Sequence, residues 1–291
     1  MDEQVISRKR RWRKYLRFSM RGLIALVLLT GGGLGWLIRG ARIQREAVAA
    51  IAKCGCSVTY DWQMNDGNIF VGGKPWAPRW LVDRLGVDYF GHVTNVWLMW
   101  EIVDGPQRAI GPVTRLTGLQ GIHVFAPFGD GELARLRGLA SLSAISIGGT
   151  QVSDIGLAHL KGLPNLSLVS LVNTRITDEG FAHLNGLTRL SYLDLGATKI
   201  SDDGLANLKH HTGLSVLDLF NTQVTDRGLA HLKGLYNLSF LRLEGTQISD
   251  AGLVHLTGNT KLERLDLRRT RVTAAGMNEL KRALPGLSIN H

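Results

Sequence analysis

Cysteine is almost absent from this chain: Cys54 and Cys56 are the only two in 291 residues. A bridge across one intervening residue is badly strained against ordinary disulfide geometry. With no further Cys or paired His beside them, the two thiols cannot complete a tetrahedral metal set either. Free thiols in a turn are the expectation. Missing too are the short signatures of catalysis: there is no G-x-S-x-G, no H-E-x-x-H, no Walker loop and no kinase signature set. Gly72-Gly73-Lys74 lacks the spaced first glycine and the following Ser/Thr of a phosphate loop. The sequence therefore predicts no catalytic residue, no metal and no cofactor.

Acidic residues are scarce at one end only. Residues 1–45 hold 11 Lys/Arg against two acids, a charge of +9, whereas residues 46–291 hold 23 against 22, a charge of +1. The overall +10 thus belongs to a leader, and nucleic acid is excluded as the main ligand of the nearly neutral remainder. Arg8, Lys9, Arg10, Arg11, Arg13, Lys14, Arg17 and Arg21 precede an uncharged, mostly apolar run from Gly22 to Ile38. At ~1.5 Å per residue that run reaches the short end of what crosses a bilayer. The excess of cations before it predicts a basic cytoplasmic leader (1–21), a transmembrane helix (22–38) and an exported remainder. A cleaved signal peptide is the rival reading, because the strongest apolar stretch is only Leu23–Leu29. Resumption of apolar character through Leu34, Trp36, Leu37 and Ile38 favours the retained anchor. Gly31 and Gly35 form a G-x-x-x-G pair that would let two such helices approach.

After the run, Ile43, Ala47, Val48 and Ile51 suggest a juxtamembrane helix over 41–53, and Ser57–Trp62 reads as a strand. A short helical segment over Arg79–Leu85 follows a Gly/Asn/Pro-rich stretch. Tyr60, Trp62, Trp76, Trp80, Tyr89 and Phe90 concentrate between 39 and 92, as suits a cap covering the first end of a stacked array; ligand stacking on the tryptophans is the second reading.

The array is what the chain has in abundance. Thr150, Thr174, Thr198, Thr222, Thr246 and Thr270 stand 24 residues apart. Leucine-type residues precede each at offsets of eight, five and three, as Leu190, Leu193 and Leu195 precede Thr198. This is the L-x-x-L-x-L strand pattern of a leucine-rich repeat. Behind each of the first five threonines come an apolar residue, a Ser/Thr that can cap a helix and an Asp suited to its positive end, as in Ile200-Ser201-Asp202; in the last unit Ala274 replaces the aspartate. A glycine and two leucine-type residues three apart then mark one helical face, as Leu205 and Leu208 do. The predicted fold is an α/β leucine-rich repeat solenoid over 93–291, regular from about 139, with parallel strands on the concave side and short helices on the convex side. Two irregular repeats lead in: Val93, Val96 and Leu98 as strand with Val113, Leu116 and Leu119 as returning helix around an insertion holding Trp100, then Ile122 and Val124.

Residues between the core leucines point out of the concave side, because side chains alternate across a strand. Leu168, Tyr192, Val216, Phe220 and Phe240 are expected to form one apolar stripe, flanked by Asp194, Asp218, Arg242, Glu244 and Arg264. Aromatic anchors with a charged rim are what protein-binding surfaces use. Three ladders carry bland readings. His159, His183, His231 and His255 are expected in solvent on the convex side, being too far apart for one zinc. Asp154, Asp178, Asp202, Asp226 and Asp250 are read as helix-start charges, and the threonine hydroxyls as satisfying turn backbone.

The units Thr174-Arg-Ile-Thr-Asp-Glu-Gly-Phe-Ala-His-Leu and Thr222-Gln-Val-Thr-Asp-Arg-Gly-Leu-Ala-His-Leu resemble the T-x-[IV]-[ST]-D-x-G-L-x-x-L repeats of bacterial membrane-anchored leucine-rich repeat proteins. Arg17-Phe18-Ser19-Met20-Arg21 ahead of the apolar run is similar to their N-termini. The resemblance implies a single-pass membrane protein presenting a non-catalytic surface to a protein partner or an envelope component. A structural spacer is the alternative. The units are also similar to the repeats of F-box substrate receptors, which would imply a substrate-recognition subunit; here threonine stands where that type often places cysteine, and no F-box is present.

Overall fold

The computed structural model describes residues 20–65, 68–69, 73–99 and 105–291, the side chains of 20–31, 64–69 and 105–107 aside. The basic residues before Met20 and the Trp100 insertion lie outside these residues. A helix α1 (Met20–Lys53) leads into strand β1 (Ser57–Tyr60) and a small hairpin of β2 (Met64–Asn65) and β3 (Asn68–Ile69). Then come α2 (Arg79–Leu85), β4 (Val93–Met99), α3 (Gly105–Val113), β5 (Gly121–Phe125) and α4 (Asp130–Arg135). Strands β6 (Ala144–Ser146), β7 (Leu168–Ser170), β8 (Tyr192–Asp194), β9 (Val216–Asp218), β10 (Phe240–Arg242), β11 (Arg264–Asp266) and β12 (Ser288–Asn290) complete a ten-stranded sheet in the order β1-β4-β5-β6-β7-β8-β9-β10-β11-β12. Every pairing from β4 to β12 is parallel and advances one repeat; β1 alone runs antiparallel, covering the open edge of β4. An N-terminal strand that runs against the array stops further stacking at that end.

Five repeats turn from the strand into four helical residues, for example Asp202–Leu205, followed by a 3₁₀ turn, Ala206–His210, whereas the last forms one longer helix, Ala274–Ala283. The three strand-side leucine-type residues and two helix-side ones of each unit are buried in one continuous core running the length of the array, with Met277 of the last unit packed partly buried against it. No repeat can bury these residues alone, which is why the elements can be so short. Each threonine hydroxyl donates to the carbonyl three residues before it, from Thr150 to Ile147 (2.7 Å) through Thr270 to Leu267 (2.6 Å), as expected. The residue just before the threonine takes the left-handed conformation in every unit: Gly149, Asn173, Ala197, Asn221, Gly245 and Arg269, with φ between 50° and 70°. Glycine and asparagine meet that demand readily, whereas Ala197 and Arg269 hold it against their Cβ.

The aspartate column does more than charge a helix start. Both oxygens of each carboxylate accept from the Ser/Thr of the next repeat: Asp178 Oδ1 takes the Ser201 N–H (2.9 Å) and Oδ2 its hydroxyl (2.5 Å). The same pair of bonds links Asp130 to Ser153, Asp154 to Thr177, Asp202 to Thr225, Asp226 to Ser249 and Asp250 to Thr273. The aspartates are therefore inter-repeat staples, which corrects the reading of them as helix-start charges alone. Ala274 occupies this column in the last unit. The following glycine is required by the same contact, since a Cβ at Gly204 would lie 2.2 Å from Asp178 Oδ1.

Several expectations need correction. Helix α1 runs unbroken through Arg39-Gly40, where two helices were expected. Its docked face is Ala41, Gln44, Ala47, Val48 and Ile51; Ile43, although four residues before Ala47, is exposed because at ~100° per residue it lies roughly 90° round the helix from the centre of that face. Leu34, Trp36, Leu37 and Ile38 are also exposed. Among the described residues no helix is long and apolar enough to cross a membrane, and the first half of the 22–38 run falls among the side chains not described. The first returning helix is Gly105–Val113, so Leu116 and Leu119 sit in the buried return turn after it. Cys54 and Cys56 are free, with the Cys56 thiol donating to the Cys54 carbonyl at 3.5 Å.

Candidate binding surface

Strand register decides which side chains meet on the concave side. Leu168, Tyr192, Val216, Phe240 and Arg264 are direct cross-strand neighbours in one column. Ser170, Asp194, Asp218, Arg242 and Asp266 form the adjacent column. Leu168, Tyr192, Val216 and Phe240 are half-buried, leaving an unbroken apolar ribbon one residue wide, and Arg264 is exposed at its far end. The sequence reading placed Phe220 in this ribbon; it lies instead in a third column, beyond Asp218, because same-face residues on a strand step by about 6.6 Å. There its ring supports the Arg242 guanidinium, 4.5 Å from the ring centroid, a cation–π contact that holds the cation over the sheet.

The central column is an ion network with one end unpaired. Arg242 lies 3.4 Å from Asp218 and 3.7 Å from Asp266, and it pairs closely with Glu244; Arg268 in turn meets Glu244 at 2.9 Å and Asp266 at 2.7 Å. Asp194 makes no ion pair among the described residues: it takes the Ser170 hydroxyl (3.0 Å) and the Gly196 N–H (3.0 Å). Burial pushes the Asp194 and Asp218 carboxyls above the ordinary range, only partly offset by those hydrogen bonds and by Arg242. Burial likewise raises the Tyr192 phenol, helped by the negative charge of Asp194 and Asp218. Asp266 goes the other way, since its hydrogen bonds to Arg268 outweigh the burial penalty.

Reasoning from the regular repeats alone missed the N-terminal end of this face. Trp97 on β4 pairs in register with His123 on β5, their rings stacked 4.0 Å apart, and Phe125 lies parallel to Trp97 at 6.2 Å. Phe125 is exposed, and burial lowers the His123 imidazole below its usual value. The alternation Val96-Trp97-Leu98 and Ile122-His123-Val124 carried the signal, since the flanking residues are buried. On the convex side His159, His183 and His255 are half-buried and His231 exposed. Among the described residues no three His, Cys, Asp or Glu converge as a metal set.

A family described as Leucine Rich repeat matches residues 258–280. No curated protein matches the chain in sequence. Among solved structures, internalin C2 (inlC2) from Listeria monocytogenes is 21% identical, over 70% of this chain and 83% of that one, with a TM-score of 0.52. An internalin (inlF) from the same organism is 23% identical over 62% of this chain, with a TM-score of 0.49; the match spans 56% of the internalin's length. A leucine-rich repeat protein of Leptospira interrogans is 17% identical, over 62% of this chain and 57% of that one, with a TM-score of 0.41. Identities at this level speak to fold and not to partner. Parallel one-repeat strand stacking, a 24-residue strand-and-helix unit, the repeat match over 258–280 and the likeness in fold to internalin C2 converge: the chain folds as a leucine-rich repeat solenoid.

Proposed function

We propose that this protein presents the concave face of its solenoid to a protein partner, without catalysis of its own. The observation that carries the reading is the half-buried ribbon Leu168, Tyr192, Val216 and Phe240 running beside the column Ser170, Asp194, Asp218 and Arg242, whose last two members are ion-paired. Side chains locked by register and by salt bridges are pre-organised, so a partner meets them at low entropic cost. The arrangement favours a segment that lays apolar side chains along the ribbon and brings one basic group to Asp194, the carboxylate with no cation of its own. Replacing Tyr192 and Phe240 together by alanine is expected to abolish partner capture while leaving the circular dichroism spectrum and the unfolding midpoint near those of the parent. Undiminished capture would assign binding to another surface.

The same reading places the solenoid on the exported side of a membrane, held by residues 22–38 with the basic leader in the cytoplasm. It is supported by the charge asymmetry of +9 in residues 1–45 against +1 in the rest. The exposed apolar side chains Leu34, Trp36, Leu37 and Ile38 on the projecting part of α1 support it as well. Resistance to alkaline extraction, together with protease access to the solenoid from outside the cell only, is the expected outcome. Release by alkali, or digestion only after lysis, would overturn it.

A further inference from the structure

The cap carries two largely exposed tryptophans. Trp76 is 79% exposed and Trp80 68% exposed, the former touching the molecule edge-on through Phe90 at 5.4 Å. Their place is fixed, because the segment after α2 is tied to α1. Gln44 donates to the Gly91 carbonyl at 2.9 Å and accepts the Val93 N–H at 3.1 Å. Gln44 stands six residues after Ile38, about 9 Å further along the helix axis. The cap therefore sits beside the part of α1 just past the exposed apolar residues Leu34–Ile38.

Cations lie close to both indoles: Lys74 and Arg79 flank Trp76 and Trp80 in the chain, Arg84 follows, and Asp83 lies 3.9 Å from Arg79. Beside them, Arg42, Arg45, Glu46, Ala49 and Tyr89 line a groove of about 410 Å³. Arg42 is engaged by Glu46 at 3.0 Å, so the groove keeps Arg45 as its second cation. An amphipathic indole gains most where an apolar layer meets water, and cations there meet anionic headgroups. Exposed indoles, cations within a few residues of them and adjacency to an apolar helix end together describe an interfacial element.

We propose that the cap docks on the bilayer surface, with Trp76 and Trp80 in the interfacial layer and Lys74, Arg79, Arg84 and Arg45 over anionic headgroups. Helix α1 is docked to the solenoid through Ala47 and Ile51, so the two move as one body, and the helix alone leaves the tilt of that body against the bilayer unset. A second contact fixes the tilt of its concave face. This inference rests on the membrane reading above.

The test uses the full chain reconstituted in vesicles of phosphatidylcholine and phosphatidylglycerol brominated at mid-chain, which quench tryptophans that reach the layer. Comparing the parent with the double variant Trp76→Phe, Trp80→Phe, the quenchable fluorescence is expected to fall about two-fold, Trp36 in the projecting helix remaining quenched. Omitting phosphatidylglycerol is expected to reduce the contribution of the two cap residues. Equal quenching in parent and variant, with the chain still vesicle-bound after an alkaline wash, overturns the docking while sparing the anchor. A chain that washes off yet shows the difference before washing refutes the anchor and supports the docking. Loss of both refutes both.

Discussion

Replacing Gly204 by alanine ought, on helix propensity alone, to stabilise the repeat by roughly 0.5–1 kcal/mol. The staple from the preceding repeat reverses the sign. A Cβ at this position falls 2.2 Å from Asp178 Oδ1 and 2.9 Å from its Cγ, so the carboxylate must move, and with it the bonds to the Ser201 N–H and hydroxyl. Hydrogen bonds to a charged group contribute about 1.5–3 kcal/mol each, and neither group freed here is fully exposed, so a loss near 2 kcal/mol is expected for Gly204→Ala. Asp178→Ala removes both bonds outright and should cost about 3 kcal/mol. In that background the clash is gone, the next neighbour being Ile200 Cγ2 at 3.3 Å, which needs to yield only slightly. Gly204→Ala added to Asp178→Ala is thus expected to be nearly neutral, giving a coupling of about 2 kcal/mol in the double-mutant cycle. Urea unfolding followed by circular dichroism measures the cycle, and hydrogen exchange at the Ser201 amide reports the staple directly. Additive effects of the two substitutions would refute the staple as the reason for the glycine column.

His211 stands where the neighbouring repeats place Leu187 and Leu235; it is fully buried, with Nδ1 donating to the Leu187 carbonyl at 3.2 Å. Burial lowers its folded-state value below 6.5, so the unfolded chain takes the proton first and stability is lost as pH falls through 6.5. His211→Leu is expected to flatten that decline in urea midpoints between neutral pH and about pH 5; an unchanged slope would assign it to other groups. Carbon-13 titration should place the Asp194 and Asp218 midpoints above 3.8 and that of Asp266 below it, and a uniform set would contradict the ion network. Ala197→Gly, at φ 53°, is expected to raise stability by about 1 kcal/mol, measured as a shift in the urea midpoint. A lower midpoint would mean that the turn is not strained.

The repeat core was legible from the threonine and leucine columns, since identical spacing leaves few ways to bury those residues. The Arg79–Leu85 helix was legible from local pattern as well, and the strand expected over Ser57–Trp62 forms as far as Tyr60, where a 3₁₀ turn over Asp61–Gln63 ends it. The aspartate staples were not, because their partners lie 23 residues on, and only the stacked register brings the two together. The left-handed column was hidden for a different reason: Ala197 and Arg269 interrupt the glycines and asparagines that would have announced it. On the candidate surface, the ribbon from Leu168 to Phe240 followed from alternation. Phe220 was misplaced because its offset ignored the charged column lying between. Trp97 and His123 escaped notice because the two leading repeats depart from the 24-residue spacing.

The account turns on the concave face meeting a partner, and site-specific photo-crosslinking in intact cells addresses this most directly. A photoreactive residue at position 240, on the ribbon, should yield one dominant adduct that is lost when Tyr192 is also replaced by alanine. The same residue at position 231, exposed on the convex side, should yield none. Equal adducts from both positions, or adducts from position 231 alone, would contradict the account.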